Sequence, residues 1–360
     1  MRGVLLKGLG GAEQLEIRED LPVPQAAAGE VLVRVAAAAV NNTDINTRIG
    51  WYSRAVRPGD SAAPSPPAAS GVSSASGVAQ DSAWTGAAFK FPRIQGADAC
   101  GYIVAVGAGV AATRVGERVL IDPVLREALS TAGGTGYLGA DRDGAFAGFM
   151  TVPAANAHPV HSTLTDVELA TFPCSYLAAE NMLSRAAVGR GNVVLISGAS
   201  GGVGSAAIQL ALRRGAEVIA IADASKAQAL RVLGATQVWP REAELIPGLG
   251  SESIDVVIDC VGGAQFPQYL RLLKRAGRYA VAGAIGGAIV ELDLRLLYLK
   301  DLELLGCTIP EPALFTRLVA YIERGEITPL VSASYALHDI GAAQAEFLRK
   351  THVGKIVLVI

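Results

Sequence analysis

The stretch Asn192-Val-Val-Leu-Ile-Ser-Gly-Ala-Ser-Gly-Gly-Val-Gly204 constrains the fold more than any other part of this 360-residue chain. Val193 to Ile196 is a short, β-branched apolar run, the pattern of a strand buried on both faces of a parallel sheet. A glycine-rich turn, Ser197 to Gly204, follows directly, and Ser205 to Arg214 then reads as a helix with Ile208, Leu210, Ala211 and Leu212 on its apolar faces. Strand, glycine turn and helix in that order form a phosphate-binding unit. Glycines let the backbone approach a pyrophosphate, and the N–H groups at the helix start attract its charge. Ser197, Ala199, Ser200, Gly201, Gly202, Val203 and Gly204 are the candidate contacts. A second apolar run, Glu217 to Ala222, ends at Asp223, 19 residues after Gly204, where a dinucleotide fold places the residue that reads the ribose.

The length suggests two domains, and 51% hydrophobic against 18% charged residues gives ample material for cores. A net charge of −2 argues against a general nucleic-acid or anionic-membrane partner. The apolar runs are short and broken by glycine and charge, so no membrane-spanning helix is expected, and the N-terminus carries no signal-peptide pattern. The cysteines at 100, 174, 260 and 307 are far apart, with no C-x-x-C. That suits a reduced cytoplasmic chain without a cysteine-cluster metal site.

Residues 1–40 read as all-β, closing with Glu30 to Ala36 after the turn residues Pro22, Pro24 and Gly29. Asn41-Asn-Thr-Asp44 then opens a helical turn, a position where these residue types serve equally as caps or as functional groups. Residues 53–90 are rich in Pro, Ala and Ser in their middle and are bracketed by Trp51, Tyr52, Trp84 and Phe89. An insert of this length predicts a loop over the substrate cleft, its centre too poor in large apolar groups to be held rigidly. Order returns at Phe91, with strands at 101–106 and 118–121, and helical periodicity begins at Asp166. Beyond Asp223, strands at 237–239, 255–260, 277–283 and 302–308 alternate with helices, which makes six strands in a doubly wound sheet. The tail ends on Lys355-Ile-Val-Leu-Val-Ile360, expected to return to the N-terminal β region. The expected domains are 1–160 with 306–360, and 161–305.

Five local patterns are specific: Asn41-Asn-Thr-Asp44 with Gly50; Gly96-Ala-Asp-Ala-x-Gly101 with Val106-Gly107; Asp143-Gly-x-x-Ala147; Gly201-Gly-Val-Gly204; and Gly354-Lys-Ile-Val-Leu358. Together with the domain order, they resemble the medium-chain dehydrogenase/reductase superfamily over nearly the whole chain apart from residues 53–90. The zinc-independent, quinone oxidoreductase-like branch is the most similar. The resemblance implies an α/β protein with a β-rich GroES-like catalytic domain and a doubly wound Rossmann cofactor domain, acting as a cytoplasmic homodimer. It also implies cofactor contacts from Cys260, Val261, Gly283 and Lys355.

The departures select the branch. Zinc alcohol dehydrogenases of this superfamily carry a cysteine where this chain has Asn41, and His-Glu where it has Ala97-Asp98. Cys174 alone falls near the third ligand position, and residues 122–143 lack the cysteines of a structural zinc lobe. Three donors are needed to hold catalytic zinc, so no zinc is expected and oxidation of a simple alcohol is disfavoured. What remains is NAD(P)H-dependent hydride transfer to an activated C=C bond or a quinone, an apolar small-molecule substrate. Charge then develops on the carbonyl oxygen, which needs a donor and a proton. Thr43 matches the proton-relay position, Asn41 is a candidate donor to the substrate oxygen, Asp44 holds the loop, and Tyr52 is a further proton donor. His158, His161, His338 and His352 stand in no motif. For the cofactor, Asp223 favours NAD(H) by repelling a 2′-phosphate, unless it caps the next helix. Lys226, eight residues before Gly234, has the spacing of a phosphate-binding lysine, and Arg241 can assist; together they tilt the reading to NADP(H). A dehydrogenase of alcohols or aldehydes and a non-catalytic dinucleotide binder are the alternatives.

Overall fold

A computed structural model describes residues 1–52, 89–126 and 135–360. The expected loop over the cleft therefore lies outside the described residues, except for its end at Phe89 and Lys90. The chain divides into two compact units: the described part of residues 1–174 with 315–360, and residues 175–314.

The first unit is built around the strand Glu30–Ala39. Its first half alternates, and Val31, Val33 and Val35 point into the core at 3% exposure or less. On it pair Cys100–Val106, Phe149–Pro153 and the C-terminal strand Lys355–Val359, all antiparallel. Arg118–Ile121, Ala157–Pro159 and Val331–Ala336 complete this seven-stranded sheet. Ile103, Ile121, Phe146, Met150, Ile356 and Leu358 pack with the valines as one core. A three-stranded sheet, Leu15–Arg18, Gly3–Leu6 and Arg93–Ile94, accompanies it. Val357 lies opposite Ala39. Continuing that register by two residues sets Lys355, the first residue of the last strand, opposite Asn41, the cap of the helix Asn42–Arg48.

The second unit is a parallel six-stranded sheet in the order Gln237–Trp239, Glu217–Ile221, Val193–Ile196, Ile254–Asp259, Leu273–Val281, Glu303–Gly306. Numbered along the chain this is 3-2-1-4-5-6, the doubly wound arrangement, with Gly202–Arg213, Ala227–Val232 and Phe266–Leu272 among its connecting helices. The order reverses between Val193–Ile196 and Ile254–Asp259, and such switch points are where crevices for ligands open.

Two domain limits differ from the sequence expectation. Residues 161–174 pack with the β-rich unit, because Asp166 accepts from Arg118 Nε at 2.7 Å and from the Tyr102 hydroxyl at 3.3 Å. Residues 306–314 stay with the parallel sheet, where the Cys307 N–H bonds Val281 O at 2.9 Å. No described helix is long and apolar enough to cross a membrane.

Candidate active site

At the switch point Ile196 pairs with Ile258, so the residues that leave the two strands, Ser197 and Asp259, stand side by side. The Ser197 hydroxyl donates to Asp259 Oδ1 and accepts the Cys260 N–H at 3.0 Å. Asp259 Oδ1 also takes the N–H groups of Val261 at 2.8 Å and Gly262 at 3.0 Å, and Oδ2 takes the Tyr279 hydroxyl. This fully buried carboxylate ties the loop 260–262 to the glycine turn. Burial and the adjacent Asp259 push the Tyr279 phenol far above its ordinary pKa. Neither Asp259 nor Tyr279 is singled out by sequence reasoning; the only signal is an acid closing the apolar run Val256-Val-Ile258.

The turn itself needs its glycines for separate reasons. Gly198 has φ +58°, in the left-handed region, and a Cβ there would lie 2.9 Å from the Val261 side chain. A Cβ at Gly204 would meet Gly198 O at 2.3 Å. A Cβ at Gly201, at φ −74°, would meet Gly198 O at 3.6 Å, an ordinary contact. The N–H groups of Gly202, Val203 and Gly204 form the first turn of the helix Gly202–Arg213, where the helix itself supplies no partners. A Cβ at Gly283 would meet Cys260 O at 2.6 Å, so Gly283 holds the neighbouring loop close. The cradle fits the pyrophosphate of a dinucleotide. Nearby, Lys226 Nζ reaches the Ser200 hydroxyl at 3.2 Å, with Lys226 only 6% exposed. Burial lowers the Lys226 ammonium pKa, the Arg241 charge lowers it further, and Asp223 opposes. Asp223 caps the turn Ala224–Lys226: its carboxylate accepts the Ser225 N–H at 3.0 Å and the Ser225 hydroxyl at 2.6 Å.

The second group of residues lies in the β-rich unit. Asn41, Asp98 and Lys355 are each 6% exposed or less. Lys355 Nζ donates to Asn41 Oδ1 and, at 2.8 Å, to Asp98 Oδ2. Asn41 Nδ2 donates to the same Asp98 Oδ2 at 2.8 Å and to Ala39 O at 3.2 Å. Asp98 Oδ1 accepts the Cys174 N–H at 2.6 Å, and the Tyr137 hydroxyl donates to Cys174 Sγ at 3.1 Å. Both N–H groups of the Asn41 amide thus have acceptors within the protein. Lys355, expected among the cofactor contacts, is the cation of this cluster.

Asp44 closes the helix start: its carboxylate accepts the Asn41 N–H at 2.8 Å, while its carbonyl accepts Gln95 Nε2 at 2.8 Å. Burial pushes Asp44 up to a pKa of about 7, with the Asp98 charge adding and Lys355 opposing. Arg48, one turn on and 3% exposed, has no hydrogen-bond partner for Nε or Nη1 among the described residues. Its burial lowers its pKa. Thr43, the second residue of the helix, is half-buried. Tyr52 is also half-buried, with its hydroxyl 3.5 Å from Asn46 Nδ2, and it lies close enough to Tyr137 to oppose that phenol's ionisation.

Comparison with known proteins now has this geometry to meet. Residues 202–324 match the zinc-binding dehydrogenase family, and residues 68–162 match the alcohol dehydrogenase GroES-like domain. Quinone oxidoreductase of Rattus norvegicus is 27% identical over 374 residues, spanning 100% of this chain and 98% of its own. Acryloyl-coenzyme A reductase of Metallosphaera sedula is 26% identical over 382 residues, spanning 99% of each. A solved structure from Sinorhizobium meliloti 1021, described provisionally as an alcohol dehydrogenase, is 46% identical over 100% of this chain and 96% of its own, with a TM-score of 0.87. The chain belongs to the medium-chain dehydrogenase/reductase superfamily. Within it the curated relatives place this chain in the quinone oxidoreductase-like branch, and it is an NAD(P)H-dependent oxidoreductase.

The superfamily also contains zinc enzymes, so the donor set can be tested against that metal. At the positions that match zinc ligands this chain has Asn41, Ala97 and Cys174. Ala97 offers no donor. Asn41 Oδ1 and Asp98 Oδ2 already hold an ammonium, and a second cation beside it would be repelled. Cys174 is the one sulfur donor at these positions, and its Sγ accepts the Tyr137 hydroxyl at 3.1 Å. The residues do not fit zinc. Among the described residues, no three His, Cys, Asp or Glu side chains are grouped to hold a metal ion.

Proposed function

We propose that this protein reduces C=C bonds conjugated to a carbonyl, or quinones, without zinc and with NADP(H) in preference to NAD(H). The observation that carries the reading is the Lys355 ammonium bonded to Asn41 and Asp98, where a metal-dependent relative needs free donors. When bound, the nicotinamide supplies the hydride. The protein's part is to receive the charge that develops on the substrate oxygen and to deliver a proton. Thr43 is the hydroxyl donor at the helix start, and Tyr52 is the second proton source. Asp44 and Asn41 hold that start in place rather than touching substrate. The quinone and acryloyl-coenzyme A substrates in the names of the relatives support the substrate class. A second reading, oxidation of an alcohol or aldehyde, is favoured by the description of the 46% identical structure.

A panel of enones, quinones and simple alcohols separates the two. NADPH consumption on enones or quinones is expected, with less than stoichiometric zinc by elemental analysis. Alcohol oxidation alone, with about one zinc per chain that resists a chelator, would overturn the proposal.

Lys226, Ser200 and Arg241 support NADP(H), while the Asp223 carboxylate, which the Ser225 N–H and hydroxyl hold ionised, still opposes a 2′-phosphate. Lys226→Ala is expected to weaken NADPH binding about 10- to 100-fold, the worth of a charge-assisted contact to phosphate. NADH binding should change by less than about threefold, since a hydroxyl gains little from the ammonium. Equal losses for both cofactors by fluorescence titration would show that Lys226 only shapes the turn.

A further inference from the structure

We propose that Lys355 is the positioning residue of the reaction centre, an internal ammonium that sets the orientation of Asn41 and thereby the helix start carrying Thr43; this rests on the reductase reading above. The three side chains form a closed ring: Lys355 to Asn41 Oδ1, Asn41 Nδ2 to Asp98 Oδ2, and Lys355 to the same Asp98 Oδ2. The ring fixes the amide, because its oxygen must face an ammonium and its nitrogen a carboxylate. It also joins three stretches far apart in the chain: the end of Glu30–Ala39, the segment before Cys100–Val106, and the first residue of Lys355–Val359. At 3%, 6% and 0% exposure for Lys355, Asn41 and Asp98, water cannot replace any member. One step outward, the Asn41 N–H is held by the Asp44 carboxylate, so the amide and the backbone of the cap are fixed from both sides. Thr43 lies between those two residues in the chain. An ammonium thus supplies the positive centre around which the turn 41–44 is arranged.

Lys355→Met alone would strand the Asp98 carboxylate in the interior and is expected to misfold. The informative variant is Lys355→Met with Asp98→Asn, which removes both charges together. The proposal expects it to fold, to bind NADPH within about threefold of wild type, and to lose at least about tenfold in kcat with little change in KM for NADPH. Retention of wild-type kcat would overturn it. A tenfold loss of NADPH affinity with kcat unchanged would also overturn it, by making Lys355 a cofactor ligand. If the double variant does not fold, Asn41→Ala takes its place, since it leaves the Lys355–Asp98 ion pair intact. A loss of at least about tenfold in kcat with NADPH affinity within about threefold of wild type supports the proposal, and wild-type kcat refutes it. The side-chain amide protons of Asn41 give a readout independent of any substrate. They should exchange slowly in the wild type and rapidly in the double variant. Should the wild type reduce no enone or quinone, the reductase reading fails while slow exchange still reports the ring; fast exchange in the wild type removes the ring itself.

Discussion

Replacing Gly204 with alanine is expected to abolish dinucleotide binding at micromolar cofactor, a loss of about 100-fold or more. An added Cβ would sit 2.3 Å from Gly198 O, 2.6 Å from Ala199 Cα and 2.8 Å from Gly198 C. All three are backbone atoms of the turn, so no rotamer change relieves the clash. Either the helix Gly202–Arg213 moves away from the strand or the turn opens, and overpacking of this kind costs about 3 kcal/mol at the upper end, a factor of about 100 in affinity. Gly201→Ala is the control. Its Cβ would meet Gly198 O at 3.6 Å, an ordinary contact, and its φ of −74° suits any residue. That variant should melt within about 2 °C of the wild type, as a change below about 0.5 kcal/mol does in a chain of this size. Cofactor affinity by fluorescence titration and melting temperature read the pair. Unchanged affinity in Gly204→Ala would show that the turn does not hold the pyrophosphate.

Asp44 carries the second large effect, a stability that depends on pH. Burial raises its folded pKa from 3.8 to about 7. Between those values the folded state holds a proton that the unfolded state has released, so stability from this group rises as pH falls. Its cost is fully present above pH 7, fades as the pH is lowered through that value, and is gone below about pH 4, a total of about 4 kcal/mol. The groups that set the balance are Asp98, which raises the pKa, and Lys355 and the N–H groups of Asn41 and Gly96, which lower it. The Arg48 guanidinium, itself sensitive to the Asp44 charge, lies on the same helix. Asp44→Asn cannot titrate. Urea unfolding of both proteins from pH 8 to pH 5 should show the wild type gaining stability relative to Asp44→Asn. Parallel curves over that range would place the Asp44 proton elsewhere in pH.

The parallel sheet is legible in the sequence because its strands are buried on both faces. Val193–Ile196 and Ile254–Asp259 read as apolar runs, and Gly234 and Gly250 punctuate the segments between strands. The capping of the next turn by Asp223 is legible for a local reason, since Asx residues bond N–H groups two positions on. The ring of Lys355, Asn41 and Asp98 is not legible. Lys355 and Asn41 are 314 residues apart, and they meet only through the antiparallel register of the last strand on the strand Glu30–Ala39. Asp259 escapes notice because a hydrogen-bonding hub leaves no periodic trace, only one acid at the end of an apolar strand. The unit boundary is misjudged for a related reason. Helical periodicity does begin at Asp166, but its carboxylate is claimed by Arg118 and Tyr102 of the β-rich unit. A change of period marks an element, not the partner on which that element packs.

The central claim, hydride delivery to a conjugated carbon without a metal, is tested most directly by isotope transfer under chelation. The protein is incubated with an enone and NADPH deuterated at the transferable C4 position, with excess chelator, and the product is read by NMR. Deuterium at the carbon β to the carbonyl, formed at an undiminished rate, is the expected result. Deuterium at the carbonyl carbon, or turnover that stops with chelator and returns with zinc, would contradict it.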